Sequence, residues 1–241
     1  MLPICNPTLG LAVGVGLSLV ARLLKKFANG ERIRPEGFAL AFAVLGAVLI
    51  VLGTNISVTL HDNTLRTKVM VGNLALAFGV LLAGAAFFLW RERATFKNLG
   101  DVSEKSETAI TFIVTVMRPV SVWIFALGLM LTAFTISTWH QQFTNNAPQS
   151  RISCPFDHSW TETSILDLLW GLVALGALTF PLSLALGNRK VLVFAATCWN
   201  VAGVLLVLFS AIRCFYPAGV PPTLHKSGYA QLCVRIAQSM E

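Results

Sequence analysis

Charged side chains are scarce in this 241-residue chain. Asp, Glu, Lys and Arg make up 12% of the residues, whereas an ordinary soluble domain carries roughly 25%. Hydrophobic residues make up 55%, and the mean hydropathy is +0.71. This composition excludes a soluble enzyme, a nucleic-acid-binding domain and a disordered tail, and it predicts an integral membrane protein.

The sequence motifs of several enzyme classes are missing as well. The chain has no Gly-rich phosphate loop, no Gly-x-Ser-x-Gly nucleophile elbow, no Cys-x-x-Cys pair and no His-Glu-x-x-His zinc motif. Its long apolar segments also lack ionised groups at depth, because Arg118 and Asp167 lie near segment ends and every His lies outside the segments. Pumps and ion-coupled transporters need such groups inside the bilayer. A pump is therefore disfavoured, as is a haem held by two histidines in the membrane core.

Six apolar segments are present, each long enough to cross a ~30 Å hydrocarbon core as a helix. They lie at about 8–24, 37–58, 69–90, 119–138, 164–187 and 191–212. Barrel strands would instead alternate lipid-facing and lumen-facing residues over about ten positions. The predicted fold is an all-α integral membrane protein, a single polytopic domain over 1–241. It is a six-transmembrane-helix bundle with an outer loop at 139–163 and an outer tail at 213–241.

Lys and Arg are distributed unequally between the two sides of this bundle. The three connections on one side, 22–36, 91–107 and 188–190, hold eleven of the 18 Lys and Arg residues. The other loops and the C-terminal tail hold six, and Arg118 lies at the inner edge of the fourth segment. By the positive-inside rule the richer side faces the cytoplasm. The sequence therefore predicts a multi-pass protein of the plasma (inner) membrane with both termini outside.

A short apolar stretch at 108–117 precedes the fourth segment and is too short to cross the membrane. Arg118 and Pro119 follow it directly. One interpretation is that the stretch lengthens the fourth helix inward, with Pro119 kinking that helix or starting a new one. The other is an interfacial segment with Arg118 at the lipid headgroups.

Four stretches resemble an uncharacterised prokaryotic membrane family, domain of unknown function 981. They are GFALAFAVLGAVLIVLGTNISVT (37–59), NLALAFGVLLAGAAFFL (73–89), RPVSVWIFALGLMLTAF (118–134) and GLVALGALTFPLSLALGNRK (171–190). The most distinctive markers are Arg118-Pro119 and the hairpin from Pro181 to Lys190. The resemblance covers about 37–212 and implies six helices and no known reaction.

The chain departs from that family's pattern near the outer end of the second segment. The resemblance implies a Gly-Leu-His there, followed by a Trp-Pro-Leu-Pro-Gly loop. This chain has Gly53-Thr54-Asn55 and a loop without proline. No catalytic or binding residue is therefore carried over from the family.

Four of the five cysteines, Cys5, Cys154, Cys214 and Cys233, lie on the predicted outer side or at its boundary. Outer compartments are oxidising, so an even set of four predicts two disulfides. The favoured pairs are Cys154–Cys214, which would tie the outer loop to the sixth helix, and Cys5–Cys233. Four unpaired thiols are the alternative. Cys198, inside the sixth segment, is expected to be a small packing residue.

All four histidines also fall on the predicted outer side, with carboxylates nearby in sequence. Imidazole and carboxylate groups together can bind zinc or copper. His61 and His140 are the metal candidates, because both end helices at the same membrane level. No two histidines have a short ligand spacing, so ordinary loop residues are the alternative. No cofactor is predicted, and a Zn or Cu ion on the outer face is the alternative to that expectation.

Small residues recur at helical spacing inside the apolar segments. Such stripes let helix backbones approach closely in a membrane, where no hydrophobic force acts between helices. They predict packing inside the six-helix bundle or, alternatively, a surface for a partner helix. The helix-packing candidates are Gly10, Gly14, Ala75, Gly79, Ala83 and Gly171.

Three classes of function fit this sequence, but the sequence does not indicate a specific reaction for any of them. The leading hypothesis is a non-catalytic accessory or scaffold subunit that associates with other membrane protein subunits through helix faces. The second is a small-solute permease or channel. The third is an outer-face metal or redox enzyme using His61 and His140. A permease would need a cavity lined by Asn55, Asn73, Thr132, Thr179 and Asn200.

Overall fold

A computed structural model gives the fold, and it describes residues 7–31, 33–58, 65–94, 106–145 and 158–215. Helices make up 95% of the described residues, and no strand occurs among them. The helices are α1 (Pro7–Asn29), α2 (Pro35–Val58), α3 (Leu65–Arg91), α4 (Ser106–Asn145), α5 (His158–Leu186) and α6 (Arg189–Phe215). Each is long and apolar enough to cross a membrane. The predicted all-α six-helix membrane fold is confirmed.

The helices form a continuous row, and helices that are consecutive in the sequence do not always pack against each other. α4 packs on α5, α5 on α6, α6 on α1, and the α2–α3 hairpin packs beside α1. Among the described helices, the first and the last, α1 and α6, therefore meet at the middle of the row. α4 lies at one edge of the row, and the α2–α3 hairpin lies at the other.

Glycines bring α1 and α6 into backbone contact. A methyl group added at Gly14 would lie 2.7 Å from the carbonyl oxygen of Gly203, and one added at Gly203 would lie 2.6 Å from that of Gly14. Gly10 lies against Ser210 one turn further along. Since residue numbers rise along α1 as they fall along α6, the two helices are antiparallel.

The α2–α3 hairpin has a second glycine contact with a seven-residue repeat. A methyl group at Gly46 would lie 2.9 Å from the carbonyl oxygen of Gly79, and one at Gly53 would lie 2.8 Å from that of Gly72. The α2 glycines are seven residues apart, and so are those on α3, as in an antiparallel coiled coil. Such close approach strengthens dispersion contacts between helices in lipid.

Two tight turns join helices at one end of the bundle. Gly30 (φ 66°) ends α1, where the Gly30 and Glu31 amides donate to the Phe27 and Lys26 carbonyls at 3.1 and 3.0 Å. This is a Schellman cap, and its left-handed residue favours glycine. Gly187 (φ 59°) ends α5 in the same conformation, and the Asn188 side chain then caps α6 by accepting from the Lys190 amide at 3.0 Å.

The helices extend beyond several of the segments expected from hydropathy. α4 is continuous through the 108–117 stretch, with Pro119 inside the helix, so this stretch lengthens the fourth helix. α4 also continues to Asn145 and α5 begins at His158, so both helices enter the expected 139–163 loop. A helix is stabilised by its own backbone hydrogen bonds, and hydropathy therefore locates the membrane and not the helix end.

Candidate functional site

Basic side chains collect at the end of the bundle where the two tight turns lie. The antiparallel packing brings together the end of α1, the start of α2, the end of α3 and the α5–α6 turn. Gly128 of α4 contacts Ala177 of α5. Because Arg118 lies ten residues before Gly128 and the α5–α6 turn lies ten residues after Ala177, Arg118 is near the same end of the bundle. All nine Lys and Arg side chains that the structure describes lie at this end or within two turns of it. They are Arg22, Lys25, Lys26, Arg34, Arg91, Arg93, Arg118, Arg189 and Lys190.

Acidic groups at this basic end are fewer. Glu31, Glu36 and Glu92 are the acidic side chains described here, so the described charge is strongly positive. Arg189 donates to the Asn29 side chain at 3.0 Å and so links the ends of α1 and α6. Most of the remaining cations are exposed, which leaves this end attractive to anions.

An apolar groove runs along the exposed surface of the α2–α3 hairpin. Its volume is about 480 Å³, within the range of ~300–1,000 Å³ that is typical of ligand sites. The floor is formed by small side chains and the walls by larger ones. The lining residues are Ala39, Leu40, Ala43, Ala47, Ile50, Ala83, Ala86, Phe87 and Trp90.

The groove opens toward the basic end at Trp90. The Arg93 guanidinium lies over the Trp90 ring, 4.8 Å from its centroid, a cation–π contact. Arg91 approaches Glu92 at 3.8 Å and remains mostly exposed. The mouth of the groove therefore combines the Trp90 ring with the Arg93 guanidinium.

The apolar face of α4 is the second candidate surface. Only 22% of its Arg118–Ser137 segment is buried, whereas 50% of Thr8–Asn29 is buried. Large side chains project from it at helical spacing, with Val122, Trp123, Leu129 and Ile136 all more than half exposed. These four residues form the α4 face.

The structure places most of the small residues named from the sequence at helix contacts. Gly10 and Gly14 lie between α1 and α6, while Gly79 and Ala83 lie against Gly46 of α2. Ala75 is buried in the core. Gly171 is different, because a methyl group there would only touch Thr135 of α4 at 4.0 Å.

The polar residues expected to line a permease cavity lie on five different helices. The Thr132 and Thr179 hydroxyls donate to carbonyls of their own helices, those of Gly128 and Leu175, at 2.8 Å each. Asn73 accepts from the Ser57 hydroxyl at 3.0 Å across the α2–α3 contact. Asn55 is exposed and Asn200 is half-buried.

The disulfide and metal predictions fall largely outside the described residues. Cys5, Cys154, Cys233 and His61 lie outside them, and only the backbone of Cys214 is described, near the end of α6. His140 is exposed on α4. Within the described part of the chain, no three His, Cys, Asp or Glu side chains group together as metal ligands do. Cys198 is a buried free thiol.

The sequence did not predict this apolar groove, which is named the alanine groove after the three alanines that line it on α2. Ala39, Ala43 and Ala47 recur every four residues along α2, and this spacing was the available signal. Small residues on one helix do not by themselves make a groove, because the larger walls come from α3. Only the pairing of the two helices shows which small residues face each other and which remain open to lipid.

Comparisons with known proteins gave one match. A family model described as a protein of unknown function (DUF981) matches residues 6–216. No curated protein and no solved structure matches the chain.

Proposed function

We propose a function from the premise that this chain belongs to the DUF981 family of proteins of unknown function. Membership confirms the resemblance identified from the sequence and extends it to both sides of 37–212. The family supplies no reaction, so the proposal rests on the surfaces of the molecule. The protein acts as a non-catalytic accessory or scaffold subunit, and the α4 face is its docking surface for another membrane protein.

One observation carries this proposal, namely that α4 continues past the basic end of the bundle. Twelve residues, 106–117, precede Arg118 in the same helix, and at 1.5 Å per residue they add about 18 Å. Their sequence from Ala109 to Met117 contains no charged residue. Lipid tails cover the helix only within the hydrocarbon core. Apolar patches outside the hydrocarbon core are typical of protein interaction sites.

The edge position of α4 supports the same conclusion. α4 packs on α5 and leaves its opposite side open. Trp123 is 71% exposed on that side, and Trp is among the residues that contribute most to binding at protein interfaces. The α4 face and the apolar extension belong to one continuous helix, so a partner helix could cover both.

Site-specific photo-crosslinking in native membranes tests this proposal. A photoreactive amino acid replaces Trp123 on the α4 face and, in a second variant, Phe194 on α6. Phe194 is the matched control because it is 48% exposed and lies five residues from the start of its helix, as Trp123 lies five residues from Arg118. We expect a discrete adduct with a different polypeptide from position 123 and none from position 194.

Two results would contradict the subunit proposal. Lipid adducts alone at both positions would show that the α4 face contacts only the bilayer. An adduct between two copies of this chain would indicate a homo-oligomer instead. Gentle-detergent purification should recover the same partner in a fixed ratio to this protein.

The orientation in the membrane forms part of the proposal. The nine described basic side chains at one end support a cytoplasmic location for that end, and on this proposal both termini lie outside the plasma (inner) membrane. On this orientation Cys5, Cys154, Cys214 and Cys233 face an oxidising compartment. The pairs Cys154–Cys214 and Cys5–Cys233 therefore stay predictions, as does a Zn or Cu ion at His61 and His140.

A further inference from the structure

The alanine groove has the length of one membrane leaflet. It extends along α2 from Ala39 to Ile50, which is about 16 Å at 1.5 Å per residue. Half of a ~30 Å hydrocarbon core is about 15 Å. The groove therefore lies within the leaflet at the basic end, where a straight apolar chain can follow it from the bilayer midplane to the interface.

The walls of the groove can hold an acyl chain. Ala43 and Ala47 are exposed and leave a depression, which Leu40 borders on α2 and Phe87 on α3. A single hydrocarbon chain fills such a channel with more dispersion contacts than a smooth helix surface provides. A whole partner helix is wider, with a diameter of about 10 Å or more, and would rest on the walls above the alanine floor.

The mouth of the groove favours an anion. The Arg93 guanidinium lies over the exposed Trp90 ring, and its N–H groups can donate to phosphate oxygens. Arg91 is paired with Glu92 at 3.8 Å, so Arg93 is the cation that the groove offers to a phosphate. Trp90 itself is 55% exposed, as is typical of a Trp at the lipid headgroup level.

We propose that this groove binds one acidic phospholipid from the leaflet at the basic end. One acyl chain lies along Ala43 and Ala47, and the phosphate lies beside Arg93. This site is on α2 and α3, whereas the docking surface proposed above is on α4. The two proposals are therefore tested by different variants and can fail separately.

Native mass spectrometry of the purified full chain provides the test. The protein is equilibrated with equal amounts of phosphatidylglycerol and phosphatidylcholine of the same acyl composition, and the lipids retained are counted. We expect one phosphatidylglycerol per protein. Arg93→Gln should lower the ratio of retained phosphatidylglycerol to phosphatidylcholine by about fivefold, in line with the attraction of one basic residue to an anionic lipid.

Two control variants separate a site from general attraction. Lys190→Gln removes a cation at the same end but away from the groove, and it should leave the lipid ratio unchanged. Ala43→Leu fills the groove and should abolish the retained lipid, as should Ala47→Leu one turn away. Ala126→Leu is the depth-matched control, because Ala126 is exposed on α4 and lies eight residues from Arg118, as Ala43 lies eight from Pro35. It should retain the lipid.

Three outcomes would overturn the proposal. Equal loss in Arg93→Gln and Lys190→Gln would mean that charge attracts lipid without a site. Retention of lipid in both Ala43→Leu and Ala47→Leu would mean that the groove is not used. A photoreactive residue at Ala47 that captures a polypeptide in native membranes would assign the groove to a partner helix.

Discussion

At the scale of single residues, the contact between Gly176 and Trp199 closely constrains how α5 packs on α6. A methyl group at Gly176 would lie 2.5 Å from Trp199 Nε1 and 2.6 Å from its Cδ1. The buried indole donates to the Val173 carbonyl at 3.1 Å and packs against Phe180 with a centroid distance of 5.6 Å. A glycine in α5 therefore makes room for the largest side chain of α6.

Gly176→Ala should destabilise the protein because the indole must move and lose its hydrogen bond. We expect a cost of about 1–3 kcal/mol, typical of overpacking and of a broken buried hydrogen bond. Thermal unfolding in detergent measures it, and the near-ultraviolet circular dichroism of Trp199 should weaken. Gly84→Ala is the control, since nothing lies within 4 Å of a methyl group there and helix propensity favours Ala. Equal stability of the two variants would refute this account.

At the scale of elements, close glycine contacts define the α1–α6 and α2–α3 pairs. Helical spacing in the sequence marks Gly10, Gly14 and Gly79 as small packing residues. The same spacing does not single out their partners Gly203 and Gly46. A stripe shows that a helix can be approached closely, but the identity of the approaching helix depends on contacts between residues distant in sequence. For Gly14 and Gly203, the partner lies at the other end of the chain.

The α2–α3 contact should behave as one cooperative unit. Gly46→Ala and Gly79→Ala should each destabilise the hairpin by about 1–3 kcal/mol, because both methyl groups push the same two backbones apart. The double variant should cost less than the sum of the two, since the first separation makes room for the second methyl group. Unfolding by denaturing detergent measures the three free energies. Additive effects would contradict a shared contact, and Gly37→Ala, with open space around it, should be neutral.

At the scale of the whole molecule, the antiparallel order of the helices determines which charges share an end. The basic residues of α1, the α1–α2 turn, the end of α3, α4 and the start of α6 come from distant parts of the sequence, yet all those described lie at one end or within two turns of it. The same order leaves α4 and the α2–α3 hairpin at opposite edges of the row. The proposed docking surface and the proposed lipid site are therefore separate in the molecule.

The proposed orientation predicts which cysteines are accessible from outside the cell. An impermeant thiol reagent applied to intact cells after reduction should label Cys5 and Cys233. A cysteine introduced by Lys190→Cys should be labelled only after the membrane is permeabilised, because that end carries the basic residues. The reverse pattern would invert the orientation, and the four outer cysteines would then face a reducing compartment.

The sequence by itself determined the membrane class, the number of helices and the family. These follow from composition, segment length and local patterns, which do not depend on how the helices are arranged. It also indicated that 108–117 could lengthen the fourth helix, but left this open because apolar residues and a Pro fit an interfacial segment equally well. Continuity of α4 through Pro119 is a property of the folded backbone.

The tertiary structure decided which helices are neighbours, and therefore where the candidate surfaces lie. Between helices in lipid there is little hydrophobic force, so pairing depends on the fit of small residues across the contact. The alanines at 39, 43 and 47 show this dependence: Ala39 is buried, while Ala43 and Ala47 remain exposed. Their spacing is visible in the sequence, but their role as a groove floor exists only because α3 supplies Phe87 and Trp90 as the opposite wall.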